Sequence, residues 1–220
     1  MSLQQVIDMN NTAVGRMKDS HPEDAFEMLI LAVRCFKSIQ PQSSVPVTPI
    51  CDQESVITAC LIQEQEGWKD DTKIESNRRF VYSIACSIPN TLNIEYMAPV
   101  MLFNLALSRH CQANQIYNND RVRRLILSKA TKLYEIAFHS YLSVGGTRSG
   151  LMAIAITNNI ALIYEEVGES KLAQQCFESL RCVLVKLLEI GDTAEMPYAY
   201  DFLHNLIPMQ GPQIYGAGAA

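Results

Sequence analysis

The chain has 220 residues, 48 % hydrophobic and 19 % charged with mean hydropathy near zero, which excludes disorder, collagen and a minimal disulfide scaffold and leaves material for a core. Its 18 basic and 23 acidic side chains give a net charge of −5, which argues against a sequence-blind polyphosphate binder and an anionic membrane surface. Apolar runs such as Met28 to Val33 and Leu151 to Ile156 fall far short of the roughly 20 residues of a spanning helix, the opening Met1-Ser2-Leu3-Gln4-Gln5 lacks a leader pattern, and seven scattered cysteines fit a reducing intracellular setting, cytoplasmic or nuclear.

Residues 6–39 read as helix, tight turn, helix. Ser20-His21-Pro22-Glu23 ends the first helix and opens the second: Ser20 and Glu23 have capping-box spacing, and Pro22 is tolerated in a first turn. Pro41, Pro46 and Pro49 then make a surface loop. Ser55 to Ile62 and Arg79 to Ile88 have β-type content, the second placing Phe80, Tyr82, Ile84, Cys86 and Ile88 on one face at period 2. With the polar tip Gln63 to Asn77 they are expected to form a small β-hairpin within an insertion over 40–93. A lone ribbon is marginal, so its Phe80 face should pack on helices, either capping them or covering a groove.

A second helix pair is expected over 99–144, with the residues around Gln115 to Val122 as an insertion and Tyr134, Phe138 and Tyr141 as core. The glycine-rich stretch Gly145 to Gly150 is a turn before the next helix, or a place for an anion at that helix N-terminus. A third pair occupies 154–187. Asp192-Thr193 can cap a further short helix whose Tyr198, Phe202 and Leu206 make an apolar stripe, as a C-terminal lid would. Residues 208–220, rich in Gly, Pro and Ala, read as a flexible tail. The whole of 1–207 is read as one helical domain.

A gapless shift of 148 residues lays Asn10, Asn11 and Ala13 on Asn158, Asn159 and Ala161, Ser20 on Gly168, Ala25 on Ala173 and Leu29 on Phe177. The small residues let two helices of a pair approach closely, and Gly168 suits the left-handed end of a helix. Asn104-Leu105-Ala106 with Ala130, Tyr134 and Ala137 supplies the middle copy. The third unit, with Ala161, Tyr164, Gly168, Ala173 and Phe177 at fixed spacing, resembles a tetratricopeptide (TPR) repeat. It departs from that pattern at Thr157, Leu180 and Val185, and the first unit has Arg16 where the family has Tyr. The resemblance covers residues 6–39, 99–144 and 154–187. It implies a mostly α, TPR-like α-α superhelix of antiparallel pairs, with the β-hairpin between the first and second pairs.

Asn11, Asn104 and Asn159 hold the same position in all three units, so stacking should put them in a row. An asparagine amide can match the N–H and C=O of an extended peptide, and the resemblance implies a concave groove lined in this way. The peptide-binding set is then Asn11, Asn104 and Asn159 with Asn10, Asn158, Lys18, His110, Leu162 and Glu165; Val14, Phe103 and Leu107 are further neighbours. The alternative is that these asparagines tie one helix to the next. No Cys-x-x-Cys, nucleophile elbow or phosphate loop occurs, so no metal, cofactor or catalytic residue is expected. Arg121, Arg123, Arg124, Lys129 and Lys132 form the one basic cluster, without interleaved aromatics.

The sequence therefore predicts a non-enzymatic adaptor that binds an extended peptide or a helix of another protein, without membrane or nucleic-acid partners and with scope for self-association. The second reading is an RNA-binding or assembly subunit using the basic helix 121–132.

Overall fold

The computed structural model describes residues 1–39, 82, 84–147, 150–190 and 199–206. They contain the helices α1 (Leu3–Lys18), α2 (Pro22–Ile39), α3 (Ile94–Asn114), α4 (Asp120–Ser143), α5 (Leu151–Val167), α6 (Ser170–Ile190) and α7 (Ala199–Leu206). Helix α1 pairs with α2, α3 with α4 and α5 with α6; α2 packs on α3 and α4 on α5, so the middle hairpin lies between the other two. Helix α7 rests on α6. No helix among the described residues is long and apolar enough to cross a membrane.

Local chemistry sets the ends of these helices. Ser2 caps α1 in a capping box: its hydroxyl accepts from the Gln5 N–H, and its own N–H donates to Gln5 Oε1 at 2.7 Å, satisfying donors that a helix start leaves orphaned. Asn93 and Asn119 cap α3 and α4 by accepting the N–H groups of Glu95 and Val122. Gly168 closes α5 in the left-handed region at φ 88°. Ser20 does the same after α1 at φ 65°, so the expected capping-box role of Ser20 gives way to that of a helix terminator. At Gly146 an added Cβ would sit 2.5 Å from the Tyr141 ring, which is why the turn between α4 and α5 needs a glycine there.

Burial differs between the two helices of a pair. Helix α5 buries Leu151 to Ile156 and Asn158 to Ile163, and α3 is similarly enclosed, because each has neighbours on more than one side. Helices α2 and α6 keep exposed faces that include Leu31, Leu172, Val185 and Leu188. Arg109 of α3 lies over the Phe26 ring of α2, 3.3 Å from its centroid, a cation–π contact that joins the first two hairpins.

The expected β-hairpin is not found among the described residues and the fold class is corrected: the seven helices make up 81 % of those residues and there is no strand among them, so the protein is all-α. Its first expected strand, 55–62, lies outside the described residues, as do the proline-rich loop, Asp192-Thr193, Tyr198 and the 208–220 tail. The described part of the second, Tyr82 and residues 84–88, is neither helix nor strand. Its alternate residues Ile84, Cys86 and Ile88 are buried, and Ala85 between them is in the core as well, while Ser87 is half-buried. Side chains of the helices take the place of a neighbouring strand. The length expected as an insertion around Gln115 to Val122 is absorbed by longer helices, 21 residues in α3 and 24 in α4 against 16 and 17 in α1 and α5.

Candidate functional site

Each first helix of a hairpin carries one asparagine of the row, and each of these amides grips a single residue of the segment 82–88. Asn159 Oδ1 accepts the Tyr82 N–H at 3.0 Å while its Nδ2 donates to the Tyr82 carbonyl at 2.8 Å. Asn104 does the same with Cys86, at 2.8 and 2.7 Å. Asn11 does so with Ile88, at 2.7 and 3.0 Å.

This two-point pairing has a geometric requirement. One amide can reach the N–H and C=O of one residue only where both point to the same edge, as in extended backbone; in a helix they point in opposite directions along the axis. Residues 82, 86 and 88 share an edge because that edge recurs every second residue. The clamped residues are spaced unevenly, four apart between the Asn159 and Asn104 clamps and two apart between the Asn104 and Asn11 clamps, or roughly 13 and 7 Å at ~3.3 Å per residue. The segment thus crosses from α5 over α3 to α1 before the chain turns into α3.

Around these pairs runs a wider polar network. Asn10 Nδ2 donates to Asn11 Oδ1 at 3.1 Å and to the Cys86 carbonyl at 3.2 Å, and Asn10 Oδ1 accepts from Asn104 Nδ2. At the other end Asn158 Nδ2 donates to Asn159 Oδ1 at 3.2 Å, Asn205 of α7 donates to Asn158 Oδ1, and Asn159 Nδ2 also reaches the Tyr134 hydroxyl at 3.1 Å. Asn10, Asn104, Asn158, Asn159 and Asn205 are buried, and Asn11 is half-buried. Five buried amides carry a large desolvation cost that only such mutual satisfaction offsets.

The Tyr82 ring completes the site. It stacks on Phe202 of α7 at 5.8 Å and 18°, and tilts against Phe103 of α3 at 6.4 Å. Phe103 in turn meets Tyr134, whose ring takes the edge of His110 at 6.2 Å. Burial, aided by the Arg123 charge, pushes the His110 imidazole down to about 4, so it is neutral at pH 7. Its Nδ1 is buried without a partner. Burial also raises the Tyr134 hydroxyl well above its usual value, with a smaller contribution from Cys111 and an opposing one from the Asn159 bond. Burial moves the Cys111 thiol up to about 12.

The structure therefore brings five of the nine expected site residues into one network: Asn10, Asn11, Asn104, Asn158 and Asn159. The other four make no bond in that network, although His110 meets the Tyr134 ring beside it. Leu162 and His110 are buried, Lys18 is half-buried at the end of α1 and Glu165 is exposed at the end of α5. Val14, Phe103 and Leu107 are core. Sequence reasoning missed Tyr82, Tyr134, Phe202 and Asn205 as parts of the site. The period-2 run of Tyr82 to Ile88 and the stripe containing Phe202 were signals for two of them. Asn205 had none.

Two other surfaces stand apart from the row. A groove of about 660 Å³ between α4, α5 and α6 is lined by Phe138, Ile160, Tyr164 and Cys176 among others, and no asparagine of the network borders it. In the basic cluster, Arg123 pairs with Glu166 at 2.9 Å, while Arg124 and Lys132 border a smaller cleft together with Glu135 and Glu169. Among the described residues no three of His, Cys, Asp and Glu converge as a metal site would need. Comparison with family models, with curated proteins and with solved structures returns no match.

Proposed function

We propose that the chain is a non-enzymatic interaction module of TPR-like character, and that its recognition element is the asparagine row, which takes extended polypeptide. The observation that carries this reading is the two-point pairing of Asn11, Asn104 and Asn159 with Ile88, Cys86 and Tyr82. Such pairing reads main chain and not side chain, so in principle any extended segment of suitable register can satisfy it, as in strand-addition modes of peptide recognition. The chain's own segment occupies the row, which makes the protein an adaptor whose partner engages by exchange with that segment. A reducing intracellular setting belongs to the same proposal.

The test is selection of binding peptides from a random display library on the full chain, followed by mapping on ¹⁵N-labelled protein. Selected peptides should shift the side-chain amide signals of Asn11, Asn104 and Asn159. Selected peptides that leave those signals in place and shift residues of the groove between α4 and α6 would move the recognition surface there.

A further inference from the structure

Backbone pairing by three amides supplies affinity without choice, so any selectivity of the row must come from the seats of the side chains. Tyr82 is fully buried between Phe202 and Phe103. Ile84, Ala85, Cys86 and Ile88 are buried too, whereas Ser87 is half-exposed. The two ends of the row also differ. At α5 the pairing is dry and is closed over by Phe202 and Asn205 of α7. At α1 the Asn11 amide is only part-buried.

From this we infer that segment 82–88 is a resident pseudo-ligand. The partner that replaces it carries an extended stretch of the pattern aromatic-x-aliphatic-small-small-x-aliphatic, entering at the Asn11 end and seating its aromatic ring last, between Phe103 and Phe202. The inference rests on the proposed role of the row and adds which sequences it accepts.

Exchange is close to neutral in energy, since each bond and buried ring lost by the resident segment is regained by the newcomer. The barrier to exchange in favour of the newcomer is the tether. A segment held in the same chain acts at an effective concentration on the order of millimolar, and an incoming peptide's apparent affinity falls with the fraction of molecules whose row is vacant. Loosening the resident segment therefore tightens binding of the newcomer without any new contact. Cys86→Pro is suited to this, because proline fits extended backbone but has no N–H to give Asn104 Oδ1.

The experiment titrates a fluorescein-labelled synthetic peptide copying residues 80–90 into the full chain and into its Cys86→Pro variant, with foldedness checked by circular dichroism. The expected result is at least about tenfold tighter binding to the variant, lost when the peptide carries Tyr82→Ala and weakened when the protein carries Phe202→Ala as well. Equal binding of the parent and Tyr82→Ala peptides to the variant would overturn the aromatic seat while leaving the row as a recognition element. A folded variant that binds neither the parent peptide nor a scrambled one would overturn the role of the row itself.

Should Cys86→Pro not fold, amide hydrogen exchange on the unaltered protein decides. Exchange at Cys86 and Ile88 about tenfold or more faster than at Leu105 to Ser108 of α3 shows a segment that opens alone. Equal rates show one that opens only with the whole chain, which rejects the inference.

Discussion

The first and third hairpins are built on the same bonds. His21 N–H donates to the Arg16 carbonyl at 2.9 Å as Glu169 N–H does to Tyr164 at 2.8 Å, and Ser20 N–H to Met17 as Gly168 N–H to Glu165. Asn10 donates to Asn11 as Asn158 does to Asn159. All of these obey the shift of 148 residues, and yet the two ends of the asparagine row have different surroundings. Asn159 is fully buried, bonded to Tyr134 and to Asn158, which Asn205 of α7 holds, while Asn11 sits part-buried with no counterpart of α7 beyond it among the described residues. Repetition sets the frame of each clamp, and the packing around it sets how much the clamp is worth.

Asn159→Ala should therefore be the most damaging change in the row. It removes the amide used by the Tyr82 N–H and C=O and by the Tyr134 hydroxyl, all in a dry environment. At about 1–3 kcal/mol for each buried group left without its partner, a loss of about 4 kcal/mol is expected, read as a lower urea midpoint at unchanged m-value. Asn11→Ala, at the wetter end, should cost about 1 kcal/mol, because water can take over from its amide. Equal losses at the two ends would remove the asymmetry and with it the order of entry inferred for a replacing peptide.

The dry end should also be the acid-sensitive one. His110 is neutral when folded, its affinity for a proton lowered by burial and Arg123 to about 4 from the usual 6.5. A depressed folded value means that the unfolded chain binds the proton first. Stability is thus complete above about pH 6.5 and declines as pH falls toward 4, by an amount on the order of 3 kcal/mol. His110→Phe keeps a ring against Tyr134 and has no group to titrate, so the variant should lose less stability than the parent between pH 6.5 and 4. Matching slopes for the two proteins in urea unfolding would place the acid sensitivity elsewhere.

How far the sequence revealed this arrangement varies with the range of the interaction. The helix pairs and the left-handed stop at Gly168 follow from short spacings, the alignment of Asn11, Asn104 and Asn159 follows from the internal repeat, and all were readable. Tyr82 to Ile88 was readable as extended, but its partners were not. Period-2 apolarity reports burial and backbone conformation and is silent on whether the edge is met by a strand or by side-chain amides 77 residues away, as Asn159 is from Tyr82 and Asn11 from Ile88. For the same reason Asn205 gave no sign: one polar residue on a short amphipathic helix looks like surface until the partner Asn158 is seen beside it. The choice between peptide contact and helix tie was open because amides do both. They hold main chain here, and the main chain is the protein's own.

The smallest effect concerns the turns, where the two hairpins differ in chemistry at one equivalent position. Ser20 and Gly168 both adopt positive φ, 65° and 88°, and both follow a helix whose last carbonyls they help to satisfy. A residue with a Cβ is strained in this region by roughly 1–2 kcal/mol, while glycine is not. Ser20→Gly should then stabilise the chain by about 0.5–1 kcal/mol, the gain being reduced by the extra freedom glycine has when unfolded. Gly168→Ser should destabilise by a similar amount, although nothing lies within 4 Å of the Cβ it would add, so the cost is conformational and not steric crowding. Opposite signs from the two substitutions in parallel thermal unfolding are the expected outcome. A Gly168→Ser variant as stable as its parent would show that the equivalence of the two turns is one of hydrogen bonding alone.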